Sequence, residues 1–105
     1  MTDVVVVKFG GGLITNKAKL CTPDLAIIEQ LVAVVKRCLE SGLQVIVVHG
    51  AGSFGHLRAK YWRLNEGLLP GVEFAIQDDC SSQKEAVSLV RKDMLTLNNL
   101  IIDAF

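Results

Sequence analysis

Two glycine-rich segments carry the residues that could do chemistry. The first reads KFGGG and offers Lys8 with Gly10, Gly11 and Gly12, and the second reads HGAGSFGH, with Gly50, Gly52, Ser53 and Gly55 before His56. Glycines let backbone N–H groups approach an anion closely, and a lysine or histidine adds positive charge. A plain turn with a solvated lysine is the alternative for the first segment, but three consecutive glycines favour the binding of a phosphate-like anion.

The side chains near these glycines each have two interpretations. His56 follows the last glycine at a predicted helix start, where it could donate to a phosphate monoester or have a structural role. Lys17 could turn toward an anion or remain a solvated charge, and for Lys19 the solvated charge is favoured. Ser53 could add a hydroxyl donor. His49 directly follows a strand and is expected to be a hydrogen-bonded structural histidine.

The second segment also has the G-x-G-x-x-G spacing of dinucleotide-binding turns. Such a turn normally follows the first strand of its unit, with an acidic residue about 20 positions further on. Here the glycines follow the second predicted strand, and no third strand is predicted at that distance. The P-loop pattern G-x-x-x-x-G-K-[ST] does not occur. An anion site shared by both glycine segments is therefore favoured over a nicotinamide-dependent oxidoreductase.

The chain that positions these segments reads as strand, helix and strand. Residues 3–9 are apolar on both faces, which is typical of a buried parallel strand. The next segment has helical periodicity, with Thr22 predicted as its cap, Pro23 as its first residue and Gly42 as its stop. Residues 43–50 read as a second buried strand. This order predicts a right-handed βαβ unit whose parallel strands bring both glycine segments to one edge.

Two further helices are predicted, a short one over residues 56–64 and a long one over residues 81–105. The long helix has an apolar stripe at alternating intervals of four and three residues, made of Val90, Met94, Leu97, Ile101 and Ala104. The stripe could pack on the chain's own sheet or against a second copy. Because a two-stranded sheet is marginal by itself, we expect the chain to be a fragment or to lack elements that complete its fold.

The composition excludes several functional classes. The 105 residues include 11 Lys and Arg and 11 Asp and Glu, and this balance argues against nucleic acid or an acidic membrane as partner. The early apolar run over residues 4–7 is too short for a signal sequence or a membrane span. Three cysteines without a C-x-x-C pair indicate reduced thiols and a cytoplasmic location.

Taken together, KFGGGLITNK and VVHGAGSFGH resemble the amino acid kinase superfamily, and within it most closely isopentenyl phosphate kinase. The family pattern is K-x-G-G-[S/A]-x-I-T-x-K followed by H-G-[G/A]-G-S-F-G-H, and SLVRKDMLTLNNLIIDAF resembles the family's long helix. The resemblance implies an α/β fold, an αβα sandwich with parallel strands, of which residues 1–105 are the amino-terminal, phosphate-acceptor part. The ATP-binding carboxyl-terminal half is expected to be absent, so the chain alone is expected to be inactive.

The resemblance also implies ATP-dependent phosphorylation of isopentenyl phosphate to isopentenyl diphosphate, with Mg²⁺ accompanying ATP. It assigns Lys8, Gly10, Gly11, Gly12 and Gly52 to the ATP phosphates, Lys17 and Lys8 to catalysis, and Gly50, Ala51, Ser53 and His56 to the substrate phosphate. Gly12 stands where the family often has serine. Ala51 stands where many members have glycine, and its N–H stays usable if the local φ is negative. A homodimer through residues 81–105 is implied as well.

Two alternatives stay open. Another kinase of the superfamily, acting on a small phosphate or phosphonate, would carry the same motifs. A non-catalytic half-domain that binds anions or a partner protein is the second alternative. No tail-binding residue is assigned, because Tyr61, Trp62, Leu64, Leu68, Leu69 and Phe74 could line an isoprenoid pocket or pack the core.

Overall fold

The computed structural model describes residues 3–74 and 80–105. Its elements in chain order are β1 (Val4–Phe9), α1 (Gly11–Ile14), α2 (Leu25–Glu40), β2 (Gln44–His49), α3 (His56–Tyr61) and α4 (Gln83–Ala104). Two 3-10 turns, Gly52–Phe54 and Leu64–Glu66, lie before and after α3. This order of strands and helices confirms the predicted α/β class.

β1 and β2 form a parallel pair, with Phe9 opposite His49 at their carboxyl ends. The helix α2 connects the two strands, as the predicted βαβ unit requires. The N–H of Gly50 donates to the carbonyl of Phe9 at 3.0 Å. Both glycine segments therefore leave the sheet side by side.

One face of this sheet is exposed, so the prediction that both faces are buried is wrong. The exposed face carries Val4, Val6, Ile46 and Val48, which are 54%, 63%, 53% and 45% exposed. The alternate side chains, including Val7 and Val47, pack against the main core that contains buried residues of α2 and α4. Both long helices thus contribute to covering one face, and no described helix buries the other.

α2 begins at Leu25, so the prediction of Thr22 as cap and Pro23 as first helical residue is wrong. Asp24 is the cap, and its carboxylate accepts a backbone N–H of the first turn at 3.2 Å. Pro23 instead pairs with Thr15 in an antiparallel bridge. This contact with a segment that precedes the helix holds the chain extended and delays the helix start.

The other helix ends agree more closely with the sequence. Gly42 has φ +86° and ends α2 as predicted. α3 ends at Tyr61, earlier than predicted. Just beyond its end, Arg63 adopts a left-handed φ of +51°. The long fourth helix is confirmed, and the Ser82 hydroxyl caps it by accepting the N–H of Glu85 at 3.2 Å.

The apolar stripe of α4 packs on the chain's own core. Leu97 and Ile101 are buried there, and Met94 packs against them. A second, smaller cluster surrounds Trp62, whose ring centroid lies 5.0 Å from that of Phe74. These two aromatic residues pack against each other and also line a cavity of about 560 Å³ together with Leu68 and Leu69, so packing and pocket lining occur side by side. Within the described ranges, no helix is both long and apolar enough to cross a membrane.

Candidate functional site

The two glycine segments touch backbone to backbone at the carboxyl ends of the strands. A Cβ added at Gly11 would overlap the backbone nitrogen of Gly52 and lie 2.9 Å from that of Ala51. A Cβ added at Gly50 would lie 2.8 Å from the backbone nitrogen of Gly11, whereas real Cβ contacts essentially never fall below 3.0 Å. Gly52 also has φ +49°, which favours glycine. Only glycines allow the two backbones to approach this closely.

A buried hydroxyl network holds the two segments together. The Thr15 hydroxyl donates to the carbonyl of Gly11 at 2.6 Å and accepts the N–H of Ser53 at 2.9 Å. The Ser53 hydroxyl accepts the N–H of Thr22 at 3.1 Å, and Ser53 is fully buried. The sequence analysis gave Thr15 no role, although its place three residues after the first segment is a signal. The phosphate contact assigned to Ser53 stays a prediction, and it would require the hydroxyl to turn away from Thr22.

One cavity brings together four of the residues predicted for the site. Its volume is about 310 Å³, and it is lined by Gly12, Lys17, Gly52 and His56. The Lys17 side chain lies across Gly12, with its Nζ 3.1 Å from the position that a Cβ on Gly12 would take. A serine at this position, as the family often has, would have to displace the end of that lysine. The cavity therefore has an ammonium group, an imidazole and glycine backbone in one place.

The two histidines have different environments. His49 is half-buried, with Nδ1 3.0 Å from the carbonyl oxygen of Gly50 and Nε2 3.1 Å from the side-chain oxygen of Asn98. Two partners of this kind fit the structural role predicted for His49. His56 is exposed, begins α3 and lines the cavity. It also lines an adjoining cavity of about 480 Å³ whose other lining residues include Lys60. His56 is therefore the histidine that a ligand can reach.

The remaining predicted residues are not among those that line this cavity. Lys8 is exposed and its strand neighbour across the sheet is Val48, so its side chain lies on the open face of the sheet. Lys19 is exposed as well, which agrees with a solvated charge. Gly10 has open space where a Cβ would stand. Ala51 has φ −86°, so the condition set for its N–H is met.

The residues present fit a polyphosphate better than a resident metal ion. Gly11 and Gly12 form the start of α1, where backbone N–H groups have no carbonyl of their own helix to bind. Together with Lys17, they supply donors and positive charge for phosphate oxygens. Over residues 3–74 and 80–105, no group of three or more His, Cys, Asp or Glu side chains could hold a metal.

Comparison with known proteins identifies the family to which this chain is similar. Residues 3–105 match the Amino acid kinase family. The isopentenyl phosphate kinase of Thermoplasma acidophilum is 32% identical over 104 residues, which are 96% of this chain and 36% of that enzyme. The crystal structure of its product complex matches with a TM-score of 0.72 and 33% identity, covering 98% of this chain and 38% of that one.

A second solved structure, the substrate complex of an isopentenyl phosphate kinase, matches with a TM-score of 0.70 and 32% identity. It covers 99% of this chain and 37% of the other. The chain thus spans little more than a third of the length of these relatives. The family match extends over nearly all of its residues, and the chain belongs to the amino acid kinase family.

Proposed function

We propose that this protein takes part in the ATP-dependent phosphorylation of a small phosphate monoester, with isopentenyl phosphate as acceptor and isopentenyl diphosphate as product. The observation that carries the proposal is the single cavity lined by Gly12, Lys17, Gly52 and His56. The name of the matched relative, isopentenyl phosphate kinase, supports the choice of acceptor.

In the proposed reaction, these residues must bring two anionic phosphate groups together. Two unit charges 4 Å apart repel each other by about 4 kcal/mol at the effective dielectric of a protein surface. Lys17 and the backbone N–H groups of Gly12 and Gly52 would offset this repulsion and stabilise charge on the transferring phosphoryl group. ATP supplies that group. Because the acceptor oxygen is already anionic at neutral pH, no side chain has to remove a proton from it.

His56 and Ala51 are assigned to the acceptor side. The exposed imidazole of His56 can donate to a phosphate oxygen, and the Ala51 N–H can donate to the same group. His56 lies between the two cavities, so an acceptor whose phosphate meets it could extend its remaining atoms into either one. In this assignment His56 sets the requirement for a phosphate on the acceptor.

The test is a kinase assay on the complete gene product that contains these residues, with a panel of small monophosphates and phosphonates. We expect His56→Ala to raise the acceptor KM strongly while largely sparing the KM for ATP. Lys17→Met should lower kcat more than it raises either KM, because its contact is assigned to the transition state. Lys19→Met is the matched control, since Lys19 is an exposed lysine of the same loop.

The outcomes separate the proposal from its alternatives. Turnover of another phosphate or phosphonate, but not of isopentenyl phosphate, would keep the kinase and replace the acceptor. Phosphate binding without turnover of any member of the panel would favour a non-catalytic anion-binding unit. Unchanged kinetics in His56→Ala and Lys17→Met would refute the assigned roles.

A further inference from the structure

A buried polar cluster lies behind α3, on the side away from the cavity. Arg58 is only 4% exposed, and its guanidinium is 3.3 Å from the carboxylate of Asp93 on α4. The same guanidinium donates to the sulfur of Cys80, just before α4, at 3.4 Å. Arginine is almost never fully buried without a partner. Its burial here ties α3 to the fourth helix through charged, directional contacts.

Cys21 extends the cluster to the glycine segments. Burial, and after it a hydrogen bond with Asp93, raises the pKa of its thiol from the ordinary 9.0 to about 11. The thiol therefore keeps its proton near neutral pH and can donate it to Asp93. The backbone N–H of Cys21 donates to the carbonyl of Ser53 at 3.0 Å. Asp93 thus faces both Arg58 of α3 and Cys21, whose backbone is bonded to the second glycine segment.

His56 and Arg58 stand on opposite sides of one short helix. Two residues correspond to about 200° of rotation around a helix, so an exposed His56 implies an inward Arg58, as observed. α3 has six residues, and a helix of this length is not stable by itself. Its place in the molecule must come from side chains that bind it to neighbouring elements. Arg58 provides one such contact, its ion pair with Asp93 on α4.

We propose that the Arg58–Asp93 ion pair positions His56 in the phosphate cavity. This inference rests on the proposed function, because it gives His56 the acceptor phosphate as its ligand. A planar guanidinium holds its acceptors in fixed directions, which an apolar contact would not do. Exchanging a buried ion pair for apolar residues is often neutral or favourable for stability. The pair can therefore matter for geometry even where it adds little to the free energy of unfolding.

The experiment compares the complete gene product with the double variant Arg58→Met/Asp93→Met, which removes both charges together. Arg91→Met is the matched control, because Arg91 is an exposed arginine of α4. The first readout is the phosphate-dependent NMR shift of the His56 ring, with inorganic phosphate as the probe. The second readout compares the change in the acceptor KM with the change in the ATP KM. We expect the His56 shift to be lost or weakened, and acceptor kcat/KM to fall about 10- to 100-fold.

A third variant covers the case in which the double variant does not fold. Arg58→Lys keeps the charge beside Asp93 but lacks the planar fork, so we expect a smaller rise in acceptor KM with the ATP KM unchanged. Combined with His56→Ala, the same substitution should have no further effect on acceptor KM, because the residue that it positions is gone.

The outcomes distinguish a failure of the proposed function from a failure of this inference. If the NMR shift of the wild-type His56 ring does not change with phosphate, and the protein phosphorylates no monophosphate, both the proposed function and this inference are overturned. A wild-type ring that responds, with the same response in the folded variants, overturns the inference alone. Equal rises in both KM values that persist in His56→Ala would also overturn it, because they indicate a merely structural role.

Discussion

Gly11→Ala is the sharpest test of the contact between the two glycine segments. The added Cβ would overlap the backbone nitrogen of Gly52, and backbone cannot rotate away as the end of a side chain can. Restoring an ordinary contact near 3.5 Å requires the segments to separate by about 1 Å. The Thr15 hydroxyl, which bonds to both segments, opposes that movement.

Two effects of opposite sign determine how much Gly11→Ala changes the free energy of unfolding. Gly11 is the first residue of α1, and alanine there gains at most about 0.5–1 kcal/mol over glycine from reduced chain entropy. Forcing extra volume into close packing costs about 1–3 kcal/mol, and occasionally more. The overlap is with backbone, so we place the steric cost at the upper end and expect the free energy of unfolding to fall by about 1–2 kcal/mol. A displacement of about 1 Å at a reacting site can also lower turnover by about 100-fold.

Urea unfolding followed by circular dichroism measures the first effect, and the kinase assay on the complete gene product measures the second. Gly10→Ala is the matched control for stability, because φ is −61° and a Cβ at that position meets no atom within 4 Å. We expect its free energy of unfolding to stay within about 0.5 kcal/mol of the wild-type value. If Gly11→Ala is as stable as Gly10→Ala, the close approach of the two backbones is not a constraint and the reasoning fails.

Three further predictions concern the supports of the site. Thr15→Val removes a buried hydroxyl with two partners and should cost about 1–3 kcal/mol in urea unfolding, whereas Thr96→Val, on an exposed face of α4, should cost less than about 0.5 kcal/mol. Gln83→Leu removes an amide that makes three hydrogen bonds to the loop after α3, and a loss below about 1 kcal/mol would contradict the importance of those bonds. The Cys21 pKa is about 11 in the folded chain against an ordinary 9.0, so the native state holds a proton that the unfolded state loses as pH rises from 9 to 11. Stability should therefore fall by about 1 kcal/mol between pH 8 and pH 10.5, a value reduced for solvent screening because the thiol is only half-buried, and Cys21→Ala should lack this part of the loss while Cys38→Ala retains it; equal losses in both variants would count against the raised pKa of Cys21.

Patterns between residues close in sequence predicted most of the fold. The valine runs, the helical periodicity between them and the stop at Gly42 depend on neighbours along the chain, and each gave an observed element. The cap at Asp24 could not be found in this way. It depends on the bridge between Pro23 and Thr15, and propensity alone favoured the start at Thr22.

The site was predictable in its residue types but not in its side-chain directions. Gly12, Lys17, Gly52 and His56 were identified by spacing and resemblance, and the structure brings them to one cavity. The burial of Arg58 could not be read from a helix segment rich in charged residues, since it depends on a carboxylate 35 positions away.

The exposed face of the two-stranded sheet has a practical consequence when these 105 residues are prepared by themselves. Valine and isoleucine side chains in contact with water on adjacent strands are driven to associate, and the outer edges of both strands have further hydrogen-bonding capacity. Hydrophobic association weakens on cooling. Light scattering should therefore grow with concentration and temperature, and cold, dilute handling should give the cleanest spectra. A charged residue such as lysine in place of Val6, the most exposed of the four, is the simplest substitution to suppress that association.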